Sequence, residues 1–325
     1  LRLKTDSFVV KSNVHFPTDY NLLWDCSRKC IDTVSLFLEK YPTIQGWRKI
    51  KNWKSEIKSM MRSLSNVNKS GGKDKEKRLK DVTRLYLNKT EQLVEKIVKS
   101  RDSFPNIDAI DTVHNIALDR FMELLVKHVD LVNRRILKGE TIPHEEKIFS
   151  IFETYTEWIN KGKQYPNVEL GKNTAITTDQ YHLIVDYHIM ENQTDSEILP
   201  DLQKRILSKF KVASWSFDKG FWNKINKPEL QKEVKMVVMP KKGKRNQSEE
   251  TEETSRQFKK LRHQHSAIES NINELEHRGL EHCPDKGYMH FKRYVGFAVC
   301  AYNLKRIGKK LLEIAYSQEA AKKAA

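Results

Sequence analysis

Three acidic residues occupy positions from which carboxylates could act together. Asp6 interrupts an alternating apolar pattern, Asp218 follows the apolar run "VASWSF", and Glu269 falls within a late helical pattern. Ligand sites in open α/β sheets lie beyond the carboxyl ends of strands, which is where Asp218 is expected. Converging carboxylates repel one another unless divalent cations are bound. Two such ions about 3.5–4 Å apart can activate a water or a 3′-hydroxyl in phosphodiester chemistry.

Each acid also has an interpretation that needs no metal. Asp6 could be a surface acid at a strand start, Asp218 a turn former before Gly220, and Glu269 an ordinary helix charge. Taken singly, the residues favour these interpretations, whereas their joint placement on three elements favours a shared site. Periodicity alone leaves both interpretations open.

The first element is predicted to be an extended strand over residues 3–16. Five residues fall on one side of it: Phe8, Val10, Ser12, Val14 and Phe16. Asp6 lies on that same side, and an acidic side chain on an apolar face is costly unless a cation meets it.

Residues 20–139 change to helical spacing and predict a block of four or five amphipathic helices. Residues 40–100 hold 17 Lys and Arg against six Asp and Glu, so the positive charge concentrates here. A solvated lysine face explains this excess as well as a DNA-backbone surface does. The DNA-binding interpretation assigns the contact to one polar helix face, formed by Lys49, Lys51, Lys54, Lys58 and Arg62.

From residue 146 the period returns to two and predicts three antiparallel strands, followed by a helix with Thr194 and Glu197 as its capping box. A short buried strand then ends at Asp218, and another strand covers 234–240. A charged, solvated connection leads to a helix that begins near Arg256. The last helix is predicted to offer five residues to the core: Val295, Val299, Tyr302, Leu304 and Leu311.

This order of elements is that of a ribonuclease-H-like α/β domain interrupted by helices. We therefore expect a mixed sheet flanked by helices, with an all-helical insertion after the first strand. Residues 1–19 would supply the first strand, residues 20–140 the basic insertion, and residues 141–325 the remainder of the domain.

The composition favours a polyanionic partner. The chain has 325 residues, 59 Lys and Arg against 43 Asp and Glu, and a formal net charge of +16. Nucleic acid is the first candidate and a membrane surface the second, although no compact basic amphipathic anchor stands out. No run approaches the roughly 18 consecutive apolar residues that a membrane span requires.

The four cysteines are too few for a disulfide framework and suit a reducing cytoplasm. Cys26 and Cys30 lie four residues apart on an apolar helical face, which predicts small core residues. A zinc site would need further ligands.

Four stretches of the chain resemble bacterial insertion-sequence transposases of the DDE class. They are "DSFVVKSNVHFPTDYNLLWD", "ETYTEWINKGK", "FDKGFWNKINK" and "HSAIESNINELEHRGLEHCPDKG" with the following "FKRYVGFAVCAYNLKRIG". The similarity is to the group of families not yet classified, related to the large families with an inserted domain after the first catalytic strand. It covers nearly the whole chain, loosely in the helical block and most specifically from His265 to Gly308.

The resemblance implies a metal-dependent strand-transfer enzyme. The family's two aspartates fall on Asp6 and Asp218, and its glutamate falls on Glu269. These residues would bind Mg²⁺ or Mn²⁺. Water would hydrolyse a phosphodiester at the element's end, and the freed 3′-hydroxyl would attack target DNA.

Around the glutamate this chain departs from the wider family pattern. Related transposases often place Tyr, Arg and Lys there, where this chain has Arg262, His265 and Glu276. Arg262, His265 and Lys219 remain candidate DNA contacts, although a helix-surface role for His265 and a solvated Lys219 explain these residues equally well.

The resemblance further implies double-stranded DNA as partner, a homo-oligomer on paired DNA ends, no membrane, and a bacterial cytoplasm near the nucleoid. Members carry an N-terminal DNA-binding region, so the chain is expected to be an N-terminally truncated copy. Two alternatives stay open: a ribonuclease-H-like nuclease or recombinase that cuts without joining, and a catalytically inactive basic DNA-binding remnant.

Overall fold

The computed structural model describes residues 1–162 and 167–324, with the side chains of the last five of these left undescribed. The chain divides into two compact units. One, here called the sheet unit, contains Leu1–Val14 and the chain from Tyr155 onward. The other, the helical unit, is His15–Thr154.

The sheet unit is built on one six-stranded mixed sheet. Its strands are β1 Arg2–Lys11, β2 Glu157–Asn160, β3 Val168–Thr178, β4 Ile184–Ile189, β5 Ser214–Phe217 and β6 Met236–Val238. The order is β2-β3-β1-β5-β6, with β4 also paired to β3. β1 runs antiparallel to β3 and parallel to β5, and β5 runs parallel to β6. The predicted ribonuclease-H-like arrangement is confirmed.

The helical unit contains the four long helices that the apolar spacing predicts. They are α1 Asp19–Lys40, α2 Ile50–Lys69, α3 Lys75–Ser100 and α4 Ala109–Val132. Thr18 caps α1 by accepting a hydrogen bond from the Asn21 backbone N–H, and Asp108 caps α4 in the same way. Cys26 and Cys30 are fully buried in the core of this unit, as predicted.

Six helices accompany the sheet. They are α5 Asp195–Leu207, α6 Asn226–Glu233, α7 Gln247–Thr254, α8 Arg256–His265, α9 Ala267–Leu275 and α10 Tyr288–Ala324. The predicted capping box of α5 is present, since the Thr194 backbone N–H donates to Glu197 Oε2 over 2.7 Å. A break at Ser266 separates α8 from α9.

The sheet is covered on both faces, because alternate residues of its strands enter two separate cores. Leu3, Trp215 and Phe217 pack with α5 on one side. Phe8 and Val10 pack with α9 and α10 on the other. Asp6 precedes Phe8 by two residues and so belongs to the face that α9 covers.

Several sequence expectations are wrong in detail. β1 ends at Lys11, and Phe16 is 60 % exposed rather than part of a strand face. Leu304 and Leu311 are more than half exposed, because α10 continues past the core that holds Val295. The charged connection after β6 contains a helix, α7. Among the described residues no helix is long and apolar enough to cross a membrane.

Candidate active site

Asp6 and Asp218 come together because β1 and β5 are parallel neighbours. Lys4 pairs with Ser216 and Thr5 with Phe217, so Asp6 follows on β1 where Asp218 follows on β5. Asp6 is partly buried within its strand, whereas Asp218 is exposed just beyond the end of β5. Asp218 therefore lies at the carboxyl end of β5, as the sequence predicts, and Asp6 lies within β1 at the point where the pairing with β5 ends.

Other acids near Asp6 affect its pKa. Burial raises the pKa of Asp6 to about 7, although a hydrogen bond from the Ser7 backbone N–H favours the carboxylate and so lowers the pKa. The negative charges of Asp218, Asp195 and Glu269 raise this pKa further. The three acids chosen from the sequence thus share one electrostatic environment, together with a fourth acid.

Glu269 lies in the first turn of α9, and its side chain is exposed. The preceding helix is tied to the sheet four residues earlier. His265, the last residue of α8, shares a 3.0 Å hydrogen bond between its Nδ1 and the Ser216 Oγ. Ile268 is fully buried beneath the start of α9. The hydrogen bond holds α8 against the strand that leads to Asp218, and α9, which carries Glu269, packs against β1.

The His265 ring is turned inward. Burial lowers the pKa of His265 to about 4, while the Asp218 charge raises it and the Lys4 charge lowers it. Its Nε2 is buried and finds no hydrogen-bond partner within the described chain. A neutral ring in this position holds α8 to the sheet, whereas Arg262 on the same helix is exposed.

Asp195, the fourth acid, was missed in the sequence. It is the first residue of α5, it accepts a hydrogen bond from the Ser7 side chain, and burial raises its pKa. Its Oδ1 is buried with no hydrogen-bond partner in the described residues. A Cβ added to Gly220 would lie 2.3 Å from Asp195 Oδ2, so only glycine allows this close approach.

Nothing in the sequence distinguished Asp195 from an ordinary helix start. Acidic residues are common in the first helical turn, where they interact favourably with the helix dipole. The pairing of Asp195 with Gly220 across two elements appears only in the folded chain.

These residues fit a divalent cation in donor chemistry. Mg²⁺ prefers oxygen ligands, one or two of them carboxylates, and keeps several waters. Asp6, Asp218, Glu269 and Asp195 supply such oxygens, and the buried Asp195 Oδ1 has no hydrogen-bond partner among the described residues. In their present rotamers, however, no three His, Cys, Asp or Glu side chains of the described chain are grouped closely enough to hold an ion.

The basic residues chosen from the sequence differ in their surroundings. Lys49, Lys51, Lys58 and Arg62 are exposed at or along α2. Lys54 is partly buried and forms an ion pair with Asp32, which neutralises much of its charge. Lys219 is exposed directly after Asp218.

Comparison with known proteins agrees with this geometry. A family model described as "Transposase DDE domain" matches residues 136–304, just over half of the chain. Asp218 and Glu269 fall inside the matched segment, and Asp6 precedes it. Neither the curated proteins nor the solved structures that were compared gave a match. The match covers more than half of the chain and agrees with the fold, so the chain belongs to the DDE transposases of insertion sequences.

Proposed function

We propose that this protein catalyses metal-dependent DNA hydrolysis and strand transfer during transposition. The observation that carries the proposal is the shared environment of Asp6, Asp218 and Glu269, which three separate elements of the sheet unit supply. Like charges are costly to hold close together, so such an arrangement favours a cationic ligand.

Mg²⁺ or Mn²⁺, when bound, would supply the positive charge that activates the attacking oxygen and stabilises the leaving oxygen. Asp6, Asp218 and Glu269 are proposed as its protein ligands. Water would hydrolyse one phosphodiester and free a 3′-hydroxyl, which would then attack a phosphodiester of target DNA. Asp6 must be ionised to act as a ligand, so its pKa of about 7 without a metal means that the affinity for the cation rises with pH.

The DNA contacts are proposed on exposed cations. Lys219 and Arg262 flank the acids in the sheet unit, and His265 acts there by holding α8 in place. In the helical unit the proposed contacts follow α2, at Lys49, Lys51, Lys54, Lys58 and Arg62, with Lys54 weakened by Asp32. We further propose that the helical unit, which the sequence delimits as residues 20–140, is a basic DNA-contacting insertion, and that the sheet unit is the catalytic domain.

A homo-oligomer acting on paired DNA ends in a bacterial cytoplasm, near the nucleoid, completes the proposal. Its basis is the family rather than any contact within the chain.

The test is cleavage of DNA that carries the flanking sequence of the element, with and without Mg²⁺. Asp218→Asn in the full chain should lower cleavage at least about 100-fold, because it removes a charged ligand from the metal site. Its affinity for DNA should stay within about twofold of the unaltered protein. Asp201→Asn, an exposed aspartate of α5, is the matched control and should cleave normally. Normal cleavage by Asp218→Asn would contradict the metal-site assignment.

The two alternatives give different results in the same experiment. A nuclease would show Mg²⁺-dependent cleavage but no joining of a pre-cut end to target DNA. An inactive remnant would bind DNA, show no Mg²⁺-dependent activity, and tolerate charge loss at all three acids.

A further inference from the structure

The sheet unit contains a cavity of about 470 Å³ that the acidic site does not use. Its polar lining comes from Arg2, Lys4, Gln180, Tyr181, His182, Ser214, Ser216 and Gln264. Leu3, Trp215, Val238, Leu261 and Ala267 complete the wall. A volume of this size suits a small ligand group rather than a single ion.

The cavity and the acids share one face of the sheet. Lys4 precedes Asp6 by two residues on β1, and Ser216 precedes Asp218 by two residues on the neighbouring β5. Side chains two residues apart in a strand lie on the same face, about 7 Å from each other. The cavity therefore begins next to the proposed catalytic carboxylates.

The charges around the cavity favour an anion. Arg2 and Lys4 bring two cations, and in the described residues neither has a carboxylate within ion-pair distance. No Asp or Glu lines the cavity. Asp179, whose charge acts on Lys4, is occupied by the turn between β3 and β4. Its Oδ1 accepts hydrogen bonds from the backbone N–H groups of Tyr181 and Leu183.

The wall of the cavity is held in place before any ligand binds. Gln180 Oε1 accepts a 2.9 Å hydrogen bond from the Arg2 backbone N–H. His182 has a positive φ of 66°, a conformation that costs free energy for a residue with a side chain. Its Nδ1 lies 3.1 Å from Oδ1 of the fully buried Asn271, which also accepts a hydrogen bond from Tyr302.

We propose that this cavity binds a backbone phosphate of the DNA strand whose neighbouring phosphodiester lies at Asp6 and Asp218. The inference rests on the proposed function for the position of the strand. Arg2 would donate to the phosphate oxygens through its planar guanidinium, and Lys4 would contribute a point charge. Ser214 offers a hydroxyl donor on the same face, whereas the hydroxyl of Ser216 already donates to the Leu3 carbonyl oxygen. The remaining volume accommodates the sugar attached to that phosphate.

The first experiment measures DNA affinity over a range of salt concentrations, without divalent ions. Lys4→Met keeps the length of the side chain and removes its charge. It should weaken binding about tenfold at low salt and reduce the slope of log K against log salt by about one. Lys209→Met, at an exposed lysine of the same unit, should change neither quantity. Arg2→Gln, at an exposed position, repeats the test if Lys4→Met fails to fold.

The second experiment replaces single phosphates of the duplex by neutral methylphosphonates. Neutralising one particular phosphate should weaken the binding of the unaltered protein and of Lys209→Met. Neutralising the same phosphate should not weaken the binding of Lys4→Met any further, because the contact is already lost. The same loss in Lys4→Met as in the unaltered protein would overturn the proposal. If inorganic phosphate raises the Tm of the unaltered protein but not of Lys4→Met, while DNA affinity is equal, the cavity binds free phosphate instead.

The two proposals fail separately. If the protein does not cleave DNA but Lys4 and one phosphate remain coupled, the proposed function fails and the phosphate site stands. If cleavage is normal and no such coupling exists, only the cavity assignment fails.

Discussion

Asp195 adds a negative charge near Asp6, although it is not one of the three proposed metal ligands. Its carboxylate lies against Gly220, directly after the strand end that carries Asp218. It also accepts a hydrogen bond from Ser7, the neighbour of Asp6. A residue in this position controls how readily Asp6 ionises, whether or not it touches a metal.

Replacement of Asp195 by Asn should therefore lower the pKa of Asp6. Burial is the main cause of the raised value and stays in place, so we expect a decrease of about half a unit from the loss of one nearby charge. Carboxyl ¹³C chemical shifts followed with pH would measure it. Asp201→Asn is the control, and an Asp6 pKa equally high in Asp195→Asn would show that the two carboxylates do not interact.

Asp6 and His265 make opposite contributions to the pH dependence of stability. The folded state binds a proton at Asp6 below about pH 7, whereas the ordinary pKa of an aspartate is 3.8, so Asp6 makes folding more favourable as pH falls through this range. The folded state resists protonation of His265 until about pH 4, whereas the ordinary pKa of a histidine is 6.5, so His265 makes folding less favourable over nearly the same range.

Single replacements should separate these contributions. As the pH falls from 7.5 to 5, the Tm of His265→Gln should rise relative to that of the unaltered protein, because the contribution of Asp6 remains. Over the same fall in pH, the Tm of Asp6→Asn should drop relative to that of the unaltered protein, because the contribution of His265 remains. A difference of about 1 kcal/mol corresponds to roughly 1–2 °C at this chain length. Thermal denaturation in metal-free buffer would measure it, and parallel curves for all three proteins would contradict the assignment.

At the scale of elements, the pairing of β1 with β3 depends on a glycine. Gly171 lies opposite Lys11, and a Cβ at this position would be 2.0 Å from the Val10 carbonyl oxygen. The obstacle is backbone rather than a flexible side chain, so the strands would have to separate. β1 carries both Asp6 and the link to β5, and the site depends on this pairing.

Gly171→Ala should destabilise the protein by roughly 2–4 kcal/mol, since the strand pair cannot relax without losing hydrogen bonds. Gly308→Ala is the matched control. It lies within α10 with nothing near its missing Cβ, so it should be neutral or stabilising by up to about 1 kcal/mol. Urea denaturation would compare the two, and equal stability would show that β1 and β3 tolerate a wider spacing.

The sequence predicts some elements better than others. The difference is whether an element is held by an apolar face or by ion pairs. The long helices and the later strands were predicted close to their observed positions, whereas β1 ends five residues before its predicted end and β2 begins only at Glu157, well after residue 146. α7 was not, because it buries Glu253 and is held by ion pairs from Lys241 and Arg245. Such an element leaves no apolar period to detect.

The same limit applies to the site. Asp6, Asp218 and Glu269 could be selected because each occupies an expected element of one fold. Asp195 could not, since it meets Ser7 and Gly220 only when α5 is in place beside the sheet. The Lys4 cavity could not, since it depends on which residues the register of β1 and β5 brings together.

At the scale of the whole molecule, the excess positive charge should strengthen DNA binding mainly through the lysines and arginines that contact phosphates. Within the described part of the helical unit, Lys58 and Arg62 have no ion-pair partner and lie four residues apart on α2, whereas Lys80 and Arg84 on α3 are paired with Glu76 and Asp81. Unpaired cations release counterions when DNA binds, while cations already paired with acids contribute less. The Lys58 and Arg62 pair and the Lys80 and Arg84 pair carry the same formal charge, but only the second pair forms ion pairs with neighbouring acids.

Neutralising Lys58 and Arg62 together, by Lys58→Gln and Arg62→Gln, should weaken DNA binding and lower the slope of log K against log salt by about two, close to 0.9 for each lost contact. Lys80→Gln with Arg84→Gln removes equal charge and should lower the slope by less than half as much. Fluorescence anisotropy of a labelled duplex at several salt concentrations would measure both. Equal effects would mean that net charge alone attracts DNA, whereas no effect of the α2 pair would leave α2 as a solvated lysine face.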